Sequence, residues 1–288
     1  MILDIILILI TLIALVIATI TDIKKREVPD FLSYSLLSIA IFSKTLQALI
    51  EKSFIPIIYA IIGFAIYFIL ALIMYYTKQW GGGDSKLLMS LGIIFSQYPI
   101  SLLKYFSPNL NISVLLSLLI NILLAGSVYG IIYSLILAVK NKNKFNQELK
   151  KINKKHLKYF IIAAVLLFII SFFIKALEIK LLTFLISMIL ILTPYLLILI
   201  KTVEKSCMIK KIPVSKLTEG DWLTENIYNK KQKLIYSSKS PGITLEQIQQ
   251  IKKLNIKKVT IKEGIPFVPS FLLAVIITLI YGNIIFFI

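Results

Sequence analysis

Cysteine and histidine are each present once in 288 residues, as Cys207 and His156. A single cysteine excludes a disulfide within the chain and any metal centre built on clustered thiolates. His156 sits in the lysine run KKINKKHLK and reads as a surface side chain. Acidic residues are also scarce, 14 against 32 Lys and Arg, so any carboxylate beside an apolar run stands out. No basic segment precedes the first apolar run, and no small-residue cleavage site follows it. That run therefore reads as a retained helix and not as a removable signal peptide.

Apolar length is what the chain has in abundance. It is 58% hydrophobic with a mean hydropathy of +0.88, outside the range of a soluble domain. Runs of about 17–25 apolar residues span a bilayer as helices. Eight candidates stand at 3–21, 32–50, 54–76, 87–106, 112–139, 159–177, 180–200 and 266–288. Lys44 interrupts the second, and Gln97 and Pro99 interrupt the fourth. The runs are continuous and do not alternate, which argues against a membrane β-barrel.

A net charge of +18 raises the question of nucleic acid, and its placement answers it. With the gaps between runs assigned alternately, 27 of the 32 Lys and Arg fall in the segments 23–30, 78–86, 140–158 and 201–265. Positive charge marks the cytoplasmic side. The expectation is a multi-pass protein of the cell membrane with both termini outside. Its basic loops attract anionic lipid, and no nucleic-acid partner is expected.

Residues 1–201 read as seven transmembrane helices and 266–288 as a final one. Between them, 202–265 lose apolar density and gain turn signals. GITLEQIQQIKKL reads as a helix with Thr244 as N-cap and Gln247 completing a capping box, and IKKVTIKE and KLIYSS read as strands. Cys207 is expected as a free thiol. The fold class is thus an all-α polytopic membrane protein of about eight transmembrane helices, with a small α+β cytoplasmic domain inserted before the last helix.

Two carboxylates lie where apolar runs meet the cytoplasmic side. Asp22 follows LIALVIATIT, and Asp84 follows Gly81, Gly82 and Gly83. Ionisable groups at a membrane edge are functional candidates. Two aspartates sharing a proton can hydrolyse a peptide bond, one as base on water and the other as acid. The start of the following helix would lower the pKa of Asp84, whereas a nearby Asp22 would raise one of the pair; the sequence does not say which prevails. The three glycines permit positive φ and close backbone approach, which suits an extended substrate. GGGDSK lacks the ending of a phosphate-binding loop.

TDIKKREVPD and GGGDSKLLMSLG, with these two aspartates, resemble the GxGD aspartyl proteases, specifically the type IV prepilin peptidase and archaeal preflagellin peptidase family. The resemblance implies that Asp22 and Asp84 form a catalytic dyad. It further implies prepilin or prearchaellin precursors as partners, cut between a short basic leader and a hydrophobic helix, with no cofactor and no metal. Glu27 and Asp30 are candidates to pair with leader lysines. KLTEGDWLTENI and the stretch 242–269 resemble the C-terminal extension of archaeal members. The early four-cysteine loop of many bacterial members is absent, so no methyltransferase activity is expected. Two other classes stay open: an ion-coupled small-solute transporter with the aspartates as proton sites, and an inactive scaffold in pilus or archaellum assembly.

Overall fold

The computed structural model describes residues 2–152, 155–229, 232–254 and 256–284. The side chain of His156, read above as a surface group, lies outside those described. Among these residues the chain forms α1 (Ile2–Lys25), α2 (Asp30–Glu51), α3 (Ile55–Tyr76), α4 (Gly82–Ile94), a 3-10 turn (Ile100–Lys104) and α5 (Val114–Lys140). There follow α6 (Lys142–Lys151), α7 (Lys155–Phe173), α8 (Leu177–Val203), β1 (Ile209–Pro213), β2 (Ile227–Tyr228), β3 (Leu234–Tyr236), α9 (Leu245–Lys252), β4 (Lys258–Lys262) and α10 (Val268–Tyr281). Five helices are long and apolar enough to cross a membrane, namely α1, α2, α3, α5 and α8 with its continuation to Met208; α7 and α10 hold shorter apolar stretches. The architecture is that of a polytopic helical membrane protein.

The fourth run departs from its expected form. Its helix, α4, has 13 residues, or about 20 Å at 1.5 Å per residue, short of a bilayer core. It stops at Ile94 because Pro99 cannot continue a helix and biases the residue before it toward extended backbone. The Ser96 hydroxyl also takes the freed Ile93 carbonyl, at 2.9 Å. From Leu87 onward nearly every α4 side chain is buried. A helix that is buried all round belongs in the middle of a bundle.

The chain divides into two compact units, residues 1–130 with 211–288, and residues 131–210. In the first, α1 buries Leu7, Ile8, Thr11, Ala14, Leu15, Ala18 and Asp22, one stripe at helical spacing. Its opposite face keeps Ile6, Leu9, Ile13, Ile17 and Ile20 exposed, as lipid contact requires. The inward stripe of α2 includes Lys44, which is only 5% exposed. With Asp4, Gln47, Glu51 and Gln97, and with Leu7, Ile8 and Ile94, it lines an open pocket of about 310 Å³ at the far end of α1 from Asp22.

Helices α3 and α4 cross where both lack a side chain. A Cβ on Gly63 would lie 2.1 Å from the Gly92 carbonyl oxygen, and one on Gly92 would lie 2.5 Å from the Gly63 oxygen. Small residues at such crossings let membrane helices pack backbone to backbone. Gly63→Val should force the helices apart and cost about 3 kcal/mol, the upper end for overpacking. A lower melting temperature of the purified protein in detergent is the expected result.

Between α8 and α10, where a small module was expected over 202–265, the chain forms short strands and one helix. β1 pairs with β4, and β2 pairs antiparallel with β3, with Ile227 opposite Tyr236. Thr244 caps α9 as expected, its hydroxyl accepting from the Gln247 N–H while the Gln247 side chain accepts from the Thr244 N–H. Val214, Leu217, Leu223, Tyr236, Ile248 and Val259 are among the side chains of its core.

The second unit contains α6, α7 and α8. The Phe168 ring meets Phe172 and Phe184 at centroid distances of 5.2 and 5.6 Å. Cys207 is a free, half-buried thiol within 3.6 Å of the Leu137 carbonyl.

Candidate functional site

Asp22 is the last member of the buried stripe of α1, 15 and 4 residues beyond Leu7 and Ala18, and is only 6% exposed. The helix ends three residues later at Lys25, and the next residue, Arg26, is left-handed with a φ of 62°. The Arg26 N–H closes that turn on the Asp22 carbonyl at 2.9 Å. The same turn aims the guanidinium at the module, where Nη1 donates to the Gly264 carbonyl at 2.9 Å. The Asp22 carboxylate accepts from the Val268 N–H at 3.0 Å, at the first residue of α10.

Asp84 stands in the first turn of α4, where its Oδ2 accepts from the Gly81 N–H at 2.9 Å. This is half of a capping box; glycine has no side chain to return the bond. A helix N-terminus favours a negative charge, yet the Asp84 carboxyl is pushed up to about 7. Burial is the main cause and the charge of Asp22 the second, and both outweigh the Gly81 N–H. The conflict between helix start and neighbouring acid is thus decided by packing. The fold brings the two aspartates, 62 residues apart in sequence, within electrostatic range of each other at one end of the bundle.

The glycines act differently from the expectation. Gly81 is extended with a φ of −73°, and among the described residues the glycines with positive φ are Gly220 and Gly282. The freedom to adopt positive φ is not what this stretch uses. Close approach is, at Gly83: a Cβ there would lie 2.7 Å from Val28 Cβ. Gly83 therefore sets the start of α4 directly against the loop that follows Asp22. At Gly81 and Gly82 a Cβ would make only ordinary contacts, 3.5 Å from Asp84 and 3.8 Å from Tyr75.

Asp30 is already engaged within the chain. Lys86 Nζ lies 2.6 Å from its Oδ1 and 5.0 Å above the Tyr34 ring, tying the start of α2 to α4. Glu27 lies nearer the module. Burial, and then Glu27 and Glu263, raise the Asp221 carboxyl against the bonds it accepts from Thr218. Three acids thus gather beside the turn after Asp22, in a chain where bases outnumber acids.

Several residues of this site escaped the sequence reading. Trp80, next to the glycines, packs against Phe267 at 5.2 Å and Phe271 at 5.3 Å, and those two rings lie 5.5 Å apart. Gly126 makes room for them, since a Cβ there would meet the Phe267 ring at 2.5 Å. Lys78, left-handed at φ 58° just past the end of α3, sends its Nζ to the Ser238 carbonyl at 2.6 Å. The only signal available beforehand was a tryptophan placed directly before three glycines. Among the described residues no three His, Cys, Asp or Glu side chains gather as metal ligands.

These two aspartate segments fall inside a stretch with known kin. Residues 9–135 match the type IV leader peptidase family. The family resemblance seen in the two aspartate motifs therefore holds for this part of the chain. A preflagellin peptidase of Methanococcus voltae is 36% identical over 87 residues, 30% of this chain and 37% of that protein. One of Methanocaldococcus jannaschii is 34% identical over 86 residues, 30% of this chain and 36% of that protein. The aligned part thus spans little more than a third of the length of either relative. No solved structure matches the chain.

The carboxyl of Asp84 also gives a stability prediction. Its folded value of about 7 lies above its usual 3.8, so the folded chain binds this proton more tightly than the unfolded chain does. That preference is complete below the unfolded value and is lost as pH rises through the folded one. Asp84→Asn, which carries no charge at any pH, should melt higher than the wild type at pH 8. The difference should shrink toward pH 5. Calorimetry or a thiol-independent thermal shift in detergent measures it.

Proposed function

We propose that this chain is an aspartic endopeptidase that removes the short basic leader from prepilins, prearchaellins or related precursors at the cytoplasmic face of the membrane. One observation carries the reading: Asp22 and Asp84 lie at the same end of the helical bundle, each taking a backbone N–H, close enough for one charge to act on the other. One carboxylate removes a proton from water, while the other, protonated, donates to the scissile carbonyl. No methyl transfer accompanies the cut.

The substrate fits the same end of the bundle. Its hydrophobic helix lies in the bilayer and its leader stays in the cytoplasm, so the bond between them meets the dyad at the interface. Glu27, close to Asp221 and Glu263, is the acid placed to pair with a lysine of the basic leader. Asp30, which also pairs with Lys86 within the chain, stays exposed beside the same turn. The transporter and scaffold readings are less well supported, because paired acids at one end of a bundle suit hydrolysis better than a path through its middle. Co-expression with leader-bearing precursors, scored by their shift in size, tests the proposal. A shift that needs this chain is expected; precursors that keep their full length throughout would overturn it.

A further inference from the structure

Proton-sharing pairs work only if the proton sits on the correct partner. Within residues 9–135 the Arg26 charge acts on Asp22 and not on Asp84. A further difference between the two acids comes from the last helix, 246 residues beyond Asp22. Val268 is the first residue of α10, and its N–H has no partner within the helix. Pro269 has no N–H, and Ser270 donates its own to the Phe267 carbonyl. Val268 is thus the donor that the first turn of α10 offers to Asp22, with the backbone of Phe267 acting in the same sense. The positive end of the helix dipole adds to it.

The placement is fixed from several sides. Phe267 and Phe271 wedge against Trp80, which precedes the glycine stretch. Arg26 holds the Gly264 carbonyl just ahead of α10, and Lys78 holds Ser238. The charge acting on Asp22 is that of Arg26, just past the end of its helix, and the charge of Asp22 acts in turn on Asp84. Among the described residues, the group that favours charge on Asp84 is the Gly81 N–H.

We propose that the start of α10 is a positioning element of the dyad: its Val268 N–H holds Asp22 as the ionised base and leaves Asp84 as the proton-bearing acid. This rests on the protease reading and deepens it. In the first step water adds to the scissile carbonyl carbon, Asp22 takes a proton from that water, and Asp84 gives its proton to the carbonyl oxygen. In the second the C–N bond breaks, Asp22 passes its proton to the leaving nitrogen, and Asp84 recovers one from the diol. Both acids return to their starting forms, and one water is consumed.

The test uses the full chain with Val268 replaced by its α-hydroxy acid through nonsense suppression, which turns the amide into an ester and deletes only the N–H. The pH profile of kcat/KM on a leader-bearing precursor should move its acid limb upward by about one unit, since the lost hydrogen bond favoured the charged form. Val268→Leu, which keeps the N–H, should retain the wild-type limb. An unmoved limb in the ester, or an equal movement in Val268→Leu, overturns the proposal. Infrared titration near pH 5.5 provides a second readout without turnover. The protonated carboxyl band should vanish in Asp84→Asn and persist in Asp22→Asn, and the reverse pattern overturns the assignment even if the ester variant does not fold. A wild type that cleaves with either adverse result refutes this inference alone; a wild type that leaves every precursor intact refutes the protease reading, and the infrared pattern still decides where the proton sits.

Discussion

Asp22→Asn and Asp84→Asn should each reduce the proposed precursor cleavage by about 10³-fold, the middle of the range for losing a positioned acid or base. Asparagine keeps the size of aspartate and a carbonyl oxygen that still accepts the Val268 or Gly81 N–H. It neither takes a proton from water nor gives one to a carbonyl. The loss should therefore appear without loss of the fold. At Asp84 it should come with added stability at pH 8, since a charge that burial disfavours is gone. The double variant should be hardly slower than either single one, because partners acting as a unit are not additive. Initial rates with a purified precursor measure all three, and ordinary processing by either single variant would remove the dyad from consideration.

Gly83→Ala is the second large effect, and it involves no charge. The added Cβ would sit 2.7 Å from Val28 Cβ and 3.1 Å from its Cγ2. Val28 is followed by Pro29, the N-cap of α2, so this loop has little room to yield. The start of α4 must then retreat and carry Asp84 away from Asp22. A displacement of about 1 Å in such a constellation costs about 10²-fold in rate. Val28→Gly removes both opposing carbons, so Gly83→Ala/Val28→Gly should recover at least about tenfold of that loss. Gly82→Ala, with only an ordinary contact to Tyr75, should lose far less. Equal losses at Gly82 and Gly83, or no recovery in the double variant, would show that close approach to Val28 is not what the glycine provides.

The parts of this protein that could be read in advance are those governed by local periodicity. The stripe from Leu7 to Ala18 already points to Asp22 as its next member, and Thr244 with Gln247 announces the start of α9. The misreadings occurred where local pattern met packing. Residues 87–106 are apolar enough to look like a span, but Pro99 and the polar residues before it end the helix at Ile94. The three glycines look alike in sequence, although only Gly83 has a neighbour that forbids a side chain. Asp30 was read only as a partner for a substrate, and the structure adds its contact with Lys86.

By itself the sequence determined that this is a multi-pass helical membrane protein with two aspartates at the ends of apolar runs, because hydrophobic length and helical spacing are properties of neighbouring residues. Only the tertiary structure decided which groups meet those aspartates. Val268 reaches Asp22 through a backbone N–H that every residue but proline possesses, and the charge of Asp22 acts on Asp84 from 62 residues away in the chain. Such contacts depend on where segments pack and not on which side chains they carry, so they leave no mark in the order of the residues.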